Sequence, residues 1–260
     1  MRILTKLDMT KLPHVILFDL DNTLYSYQEA HQIAIDDLEK KVVKKLGITS
    51  AQFQNAFEEA KLQIKGCLGE VASSHSRLLY FQRMLEILGL GSQILLALEF
   101  EQTYWRSYLS QAELFDGVKE FLDDIRILGI PMAIVTDLTA QIQFRKIIYF
   151  GLEQYFDYIV TSEECEFDKP YAGVFELALK KINPKGKYYW MIGDNPINDI
   201  KGAKKAIQAV TFQKIHSGVK IGKDDTAPDV IFYDFIQLRN LLFKITKEVE
   251  VNENYEVENL

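Results

Sequence analysis

The sequence predicts an α/β fold: a parallel sheet flanked by helices, with a helical domain inserted after the first strand. Two observations carry this. Six short apolar runs, at residues 14–18, 130–135, 157–161, 188–192, 209–213 and 230–233, are continuous rather than alternating, as in strands buried on both faces. Helical periodicities lie between most of the later runs, whereas the long gap after the first run holds only amphipathic helical segments.

Taken in order, Val15, Ile16, Leu17 and Phe18 form the first strand. Ile35, Leu38, Val42, Val43 and Leu46 then make one helical stripe that stops at Gly47, and Phe53, Ala56, Phe57, Ala60 and Ile64 make a second. Residues 78–88 and 94–109 supply two more helices, in which Trp105 and Tyr108 are open to an interface or a core role, the helical pattern favouring the core. Asp116 serves as N-cap for a helix carrying Phe121, Leu122, Ile125 and Leu128, with Gly129 as the stop before Pro131. Ile142, Ile147 and Phe150, and later Phe175, Leu177, Ala178 and Leu179, mark the helices of the repeating strand and helix units. The expected organisation is a catalytic core of residues 1–24 and 112–247, a helical cap of residues 25–111 over the carboxyl end of the first strand, and a flexible acidic tail, 248–260.

A formal charge of −7 excludes a broad electrostatic grip on nucleic acid, which needs clustered Lys and Arg. No segment reaches the roughly 18 consecutive apolar residues of a membrane span, and no secretory leader is recognisable. Cys67 and Cys165 are too few for a disulfide framework and are expected as buried thiols in a reducing, cytoplasmic setting. The chain is expected as a monomer or homodimer.

Four polar clusters follow apolar runs or sit in loops. Asp19 and Asp21 open the first, Thr136 and Asp137 the second, Lys169 before Pro170 the third, and Gly193, Asp194 and Asp199 the fourth. At the carboxyl ends of parallel strands they meet where such sheets bind ligands. A carboxylate at Asp19 can attack phosphorus and carry the phosphoryl group, dividing one displacement into two. Asp21, two residues on, points the same way on extended backbone and can protonate the leaving oxygen and then activate water. The Thr136 hydroxyl and adjacent amides can donate to phosphoryl oxygens, and Lys169 can neutralise the transferred charge. Asp194 offers a hard oxygen ligand to Mg²⁺, with Asp199 binding through water or orienting Lys169. Any one cluster alone reads as a turn or a solvated loop; their order makes the chemical case.

With these motifs the sequence resembles the haloacid dehalogenase superfamily of hydrolases, most of whose members are Mg²⁺-dependent phosphatases. The resemblance spans about Val15 to Tyr233. It implies a Rossmann-like core with an inserted helical cap, Asp19 as nucleophile and Asp21 as general acid and base. It further implies Thr136 and Lys169 as phosphate ligands, and Asp194 with Asp19 and the Asp21 carbonyl as magnesium ligands. Phe115, Asp116, Gly117 and Val118 resemble the return from cap to core, commonly Pro-Gly-Val in this family. Asp137 stands where the family commonly has Asn, which puts a negative charge beside the phosphate position. Asp21 argues against a dehalogenase, since members acting on carbon-bound halide lack it.

The expected activity is therefore a phosphomonoesterase for a nucleotide or sugar phosphate, with a phosphomutase or a non-catalytic protein retaining the fold as alternatives. Specificity is expected from the cap: Tyr25, Tyr27, Gln28 and His31 toward the leaving group, and Arg77 or Arg83 toward a second anionic group. Lys40, Lys41, Lys44, Lys45, Lys61 and Lys65 read as solvated helix faces, with none singled out as a Schiff-base lysine.

Overall fold

The computed structural model describes residues 1–5, 8 and 10–258, the last seven of these by backbone alone. Seven strands form one sheet: β1 (Arg2–Ile3), β2 (Val15–Phe18), β3 (Met132–Thr136), β4 (Tyr158–Thr161), β5 (Tyr189–Gly193), β6 (Val210–Lys214) and β7 (Val230–Phe232). Their order is β1-β7-β6-β5-β2-β3-β4, parallel throughout except for the antiparallel edge strand β1. All six predicted runs are strands, their ends moved by at most two residues; the two-residue β1 is too short to leave a pattern in the sequence.

The sheet's two faces explain why these runs are continuous. Ile16 and Phe18 of β2, Ile134 of β3 and Trp190 and Ile192 of β5 share one apolar cluster, while Val15, Leu17, Ala133, Val135 and Met191 share another. The first face packs on α5 (Val118–Ile127), α6 (Ala140–Phe150) and α9 (Phe235–Glu258), and the second on α7 (Ala172–Ile182) and α8 (Gly202–Ile207). With a helix layer on each side, neither side chain of a neighbouring pair faces water.

Between β2 and α5 lie α1 (Tyr27–Leu46), α2 (Ser50–Leu68), α3 (Arg77–Ile87) and α4 (Ile94–Gln111). Local chemistry sets their ends. Gly47 closes α1 at φ 67°, and Thr49 with Gln52 forms a reciprocal capping box at the start of α2. The Ser76 hydroxyl accepts from Leu79 N at the start of α3. The buried stripes face one another around Phe53, Phe57, Phe81, Phe100 and Tyr104, with Trp105 and Tyr108 inside, and this cluster is continuous with the sheet's first face.

Three expectations change. Asp116 is not the cap of α5: Gly117 is, at φ 80°, a backbone angle an aspartate adopts only with strain. Cys67 is exposed and Cys165 half-buried, both free, because Cys67 lies on the outer face at the end of α2. Helix α9 runs through Glu258 and takes in most of the acidic stretch read as a tail, residues 259–260 lying outside the described residues.

Candidate active site

Strand order places the site. The chain leaves β2 toward β3 and β4 on one side, then crosses to β5, β6 and β7 on the other, so β2 and β5 flank the point where the winding reverses. Asp19 follows β2 directly and its amide donates to Ile192 O of β5 at 2.9 Å. Asp194 follows β5, and Thr136 is the last residue of β3. Three strand ends therefore deliver three of the predicted side chains to one crevice.

Lys169 ties them together. Its ammonium is buried and donates to Asp19 Oδ1 at 2.7 Å, to Asp199 Oδ1 at 2.7 Å and to Val135 O at 3.0 Å. Asp19 Oδ2 accepts from the Thr23 hydroxyl at 2.8 Å, and Asp199 Oδ2 from Asn195 N at 2.9 Å. Asp199 thus spends both oxygens on orienting its neighbours. Gly193 is required for this approach: a Cβ there would stand 2.5 Å from Cγ and Oδ2 of Asp199.

Carboxylate atoms of Asp19, Asp194 and Asp199 come within 4.8 Å of one another. Three carboxylates sharing the single ammonium of Lys169 leave a deficit of positive charge in a buried place. Burial, together with the negative charge of Asp199 and Asp19, drives Asp194 up to about 9, and burial drives Asp19 up to about 7 against the opposing pull of Lys169. A hard divalent cation would relieve this, and carboxylate oxygens are its preferred donors, so the residues present fit Mg²⁺.

Asp21 sits differently. Both its oxygens accept from Lys146 Nζ, at 2.7 and 2.8 Å; Gln143 Nε2 donates to Oδ2 at 3.1 Å, and the Tyr25 hydroxyl donates to Oδ1. Burial alone would raise this carboxyl, but Lys146 outweighs it and the group is held below its ordinary value. Gln143 also donates to Thr136 Oγ1 at 2.6 Å and to Asp137 O at 2.7 Å, while the Thr136 hydroxyl donates to Asp137 O only at 3.4 Å, a long bond that an incoming phosphoryl oxygen can replace. Lys146 and Gln143 are fully buried on α6 and were not singled out from the sequence. Their signal was present: positions 143, 146, 147 and 150 form a helical core stripe into which a Gln and a Lys intrude.

Asp137 accepts from Lys169 N at 2.8 Å through Oδ1 and faces the Asn198 amide through Oδ2, and burial raises it to about 6. Its carboxylate braces the Lys169 loop while lining the cavity. That cavity, about 420 Å³, joins all the predicted core residues to Tyr27, Gln28, His31, Lys61, Lys65 and Arg77 of the helical insertion. Tyr25 is instead occupied with Asp21 and Tyr108, and Arg83 bonds Gln63 and Glu86 away from the cavity. Segments on the two sides also meet directly: His75 Nε2 lies 3.0 Å from Asp168 Oδ2, and Asp168 N donates to Glu70 O at 3.0 Å.

The family model for haloacid dehalogenase-like hydrolases matches residues 13–206. The chain belongs to that family. It is 34% identical over 199 residues, 76% of this chain and 83% of the relative, to the ribulose-1,5-bisphosphate 5-phosphatase of Halopiger xanaduensis. It is 25% identical over 234 residues, 90% of this chain and 98% of the relative, to the glyceraldehyde 3-phosphate phosphatase of Methanocaldococcus jannaschii. The fold matches that of the hydrolase YfnB of Bacillus subtilis, solved bound to magnesium, with a TM-score of 0.66 and 21% identity over 89% of this chain and 99% of that one. The family accounts for the α/β class. No helix among the described residues is long and apolar enough to cross a membrane.

Proposed function

We propose that the chain is a Mg²⁺-dependent phosphomonoesterase for a small phosphorylated metabolite, working through an aspartyl phosphate on Asp19. The observation that carries this reading is Lys169 bridging Asp19 and Asp199 at 2.7 Å each, with the Asp194 carboxylate beside them and in no ion pair of its own among the described residues. Asp19 and Asp194 with the Asp21 carbonyl would hold Mg²⁺, which when bound screens the nucleophile's charge from the phosphate and offsets charge on the transferring group.

Asp19 is braced by Thr23 and Lys169, which fixes the carboxylate for in-line attack. Lys169 and the Thr136 hydroxyl, with the amides after β3, receive the phosphoryl oxygens; Asp137 serves by holding Lys169 in place. Asp21 gives its proton to the leaving oxygen, an acid role that a phosphate dianion beside it favours. As the carboxylate that Lys146 stabilises, it then deprotonates the water that hydrolyses the acyl phosphate. Helices α1–α4 act as the cap, closing over the cavity and excluding water during transfer. The relatives' names supply the first compounds to try, ribulose 1,5-bisphosphate and glyceraldehyde 3-phosphate. The decisive experiment is phosphate release from these and from p-nitrophenyl phosphate, with Mg²⁺ and with EDTA, beside Asp19→Asn. Metal-dependent release lost in the variant supports the reading; release that survives Asp19→Asn removes the nucleophile.

A further inference from the structure

The helical insertion brings into this cavity a charge that no ion pair among the described residues balances. Arg77, the first residue of α3, is 8% exposed and lines the cavity. Its Nη1 donates to His75 O at 2.6 Å and its Nη2 to the Tyr27 hydroxyl, and it lies among the rings of Tyr80, Tyr104 and Trp105 at 5.4, 5.4 and 5.8 Å. Its Nε has no partner, and no carboxylate among the described residues pairs with the guanidinium. A buried cation ordinarily has an anion beside it, because neutral acceptors repay only part of the lost hydration.

Two further cations stand on the same wall. Lys61 and Lys65 lie one turn apart on α2; among the described residues the Lys61 ammonium meets only Glu58 of its own helix and the Lys65 ammonium has no carboxylate partner. The cavity is therefore polarised. Its five aspartates all come from core segments, while three of its four Lys and Arg residues come from the insertion. Lys169, the fourth, is already bound to Asp19 and Asp199.

We propose that the substrate carries a second anionic group, a phosphate or a carboxylate, which Arg77 receives with Lys61 and Lys65 while the reacting phosphate lies at Asp19. This rests on the phosphatase reading and narrows its substrate class to small phosphomonoesters with an anionic tail. A planar guanidinium suits both groups, since each presents paired oxygens to its N–H donors.

The test compares kcat/KM for a bisphosphorylated sugar, a carboxylate-bearing phosphomonoester and a neutral-tailed sugar monophosphate, in the native chain, the Lys61→Gln/Lys65→Gln double variant and Arg77→Gln. The native chain is expected to favour one of the two anionic tails over the neutral one by roughly tenfold or more; which one leads identifies the group. In both variants that preference is expected to collapse, mainly through KM. The lysine pair, half-buried at Lys61 and exposed at Lys65, keeps the test open if Arg77→Gln does not fold. Equal kcat/KM for neutral and anionic tails, or a preference unmoved in the variants, overturns the proposal. In parallel, calorimetric titration of the native chain in excess Mg²⁺ with an alkane bisphosphonate and the matching alkyl monophosphonate reads the subsite without turnover. Release of phosphate from no compound would overturn the phosphatase reading, and tighter binding of the bisphosphonate would still uphold the subsite, whereas equal binding would remove it.

Discussion

Lys146 Nζ lies 2.7 and 2.8 Å from the two carboxylate oxygens of Asp21, a residue 125 positions earlier in the chain. The lysine is fully buried, while the Asp21 side chain keeps 21% of its surface open to the cavity. One end of this ion pair is anchored in α6 and the other faces the reacting group. The lysine thereby fixes where the proposed acid and base points, without touching substrate itself.

Replacing that lysine tests its positioning role. Lys146→Met is expected to lower kcat by roughly 10²-fold, the lower end of what general acid–base catalysis contributes, with little change in KM. It leaves Asp21 with only Gln143 and Tyr25, at a cost of about 1–3 kcal/mol. Steady-state kinetics beside urea unfolding separate the two effects; a KM change with kcat intact would show that Lys146 serves only the pocket's shape.

Metal should stabilise the fold as well as the reaction. With Mg²⁺ at about 100 times its Kd, the native chain gains about 2.7 kcal/mol, lost again on adding EDTA. In Asp194→Asn that gain should shrink to a small fraction, since the carboxylate that forms no ion pair among the described residues is gone. Differential scanning fluorimetry across a Mg²⁺ series reads this directly, and an undiminished Mg²⁺ response would remove Asp194 from the ligand set.

Gly193→Ala introduces a Cβ at 2.5 Å from Asp199 Cγ, and the neighbour is a buried carboxylate that cannot swing clear. Asp199 must move and release Lys169. The expected result is about 1–3 kcal/mol of lost stability and a fall in kcat larger than that loss explains. A variant with native kcat would show that Asp199 does not set the Lys169 position.

Acid should weaken the fold through His31, whose imidazole bonds the Tyr104 hydroxyl at 2.7 Å. Burial, then the charge of Arg77, depresses it from 6.5 to about 4. The folded chain therefore binds its proton less readily than the unfolded chain, and stability present above about pH 6.5 is lost as pH falls toward 4. His31→Gln should remove one proton from the uptake on unfolding in that window, measured as a shallower slope of unfolding free energy against pH. An unchanged slope would place the acid sensitivity elsewhere.

The fold was legible because its signals are local. The apolar runs of β2, β3 and β5 are continuous since both faces are covered, and Gly47 and Thr49 mark the helix ends by their own backbone chemistry. Asp116 misled because capping preference is statistical, and the turn there demanded a positive φ that Gly117 supplies at lower cost.

The candidate site was legible only where a side chain follows a strand or stands in a motif. By itself the sequence determined the α/β class, the helical insertion and the order of Asp19, Asp21, Thr136, Lys169 and Asp194, since periodicity and spacing are properties of neighbouring residues. Only the tertiary structure decided that Lys146 and Gln143 hold Asp21, that Asp199 spends both oxygens within the site, and that Arg77 but not Arg83 enters the cavity. These pairings join residues from separate elements. Which lysine meets which aspartate depends on how helices settle on the sheet, a matter of packing that periodicity along the chain does not encode.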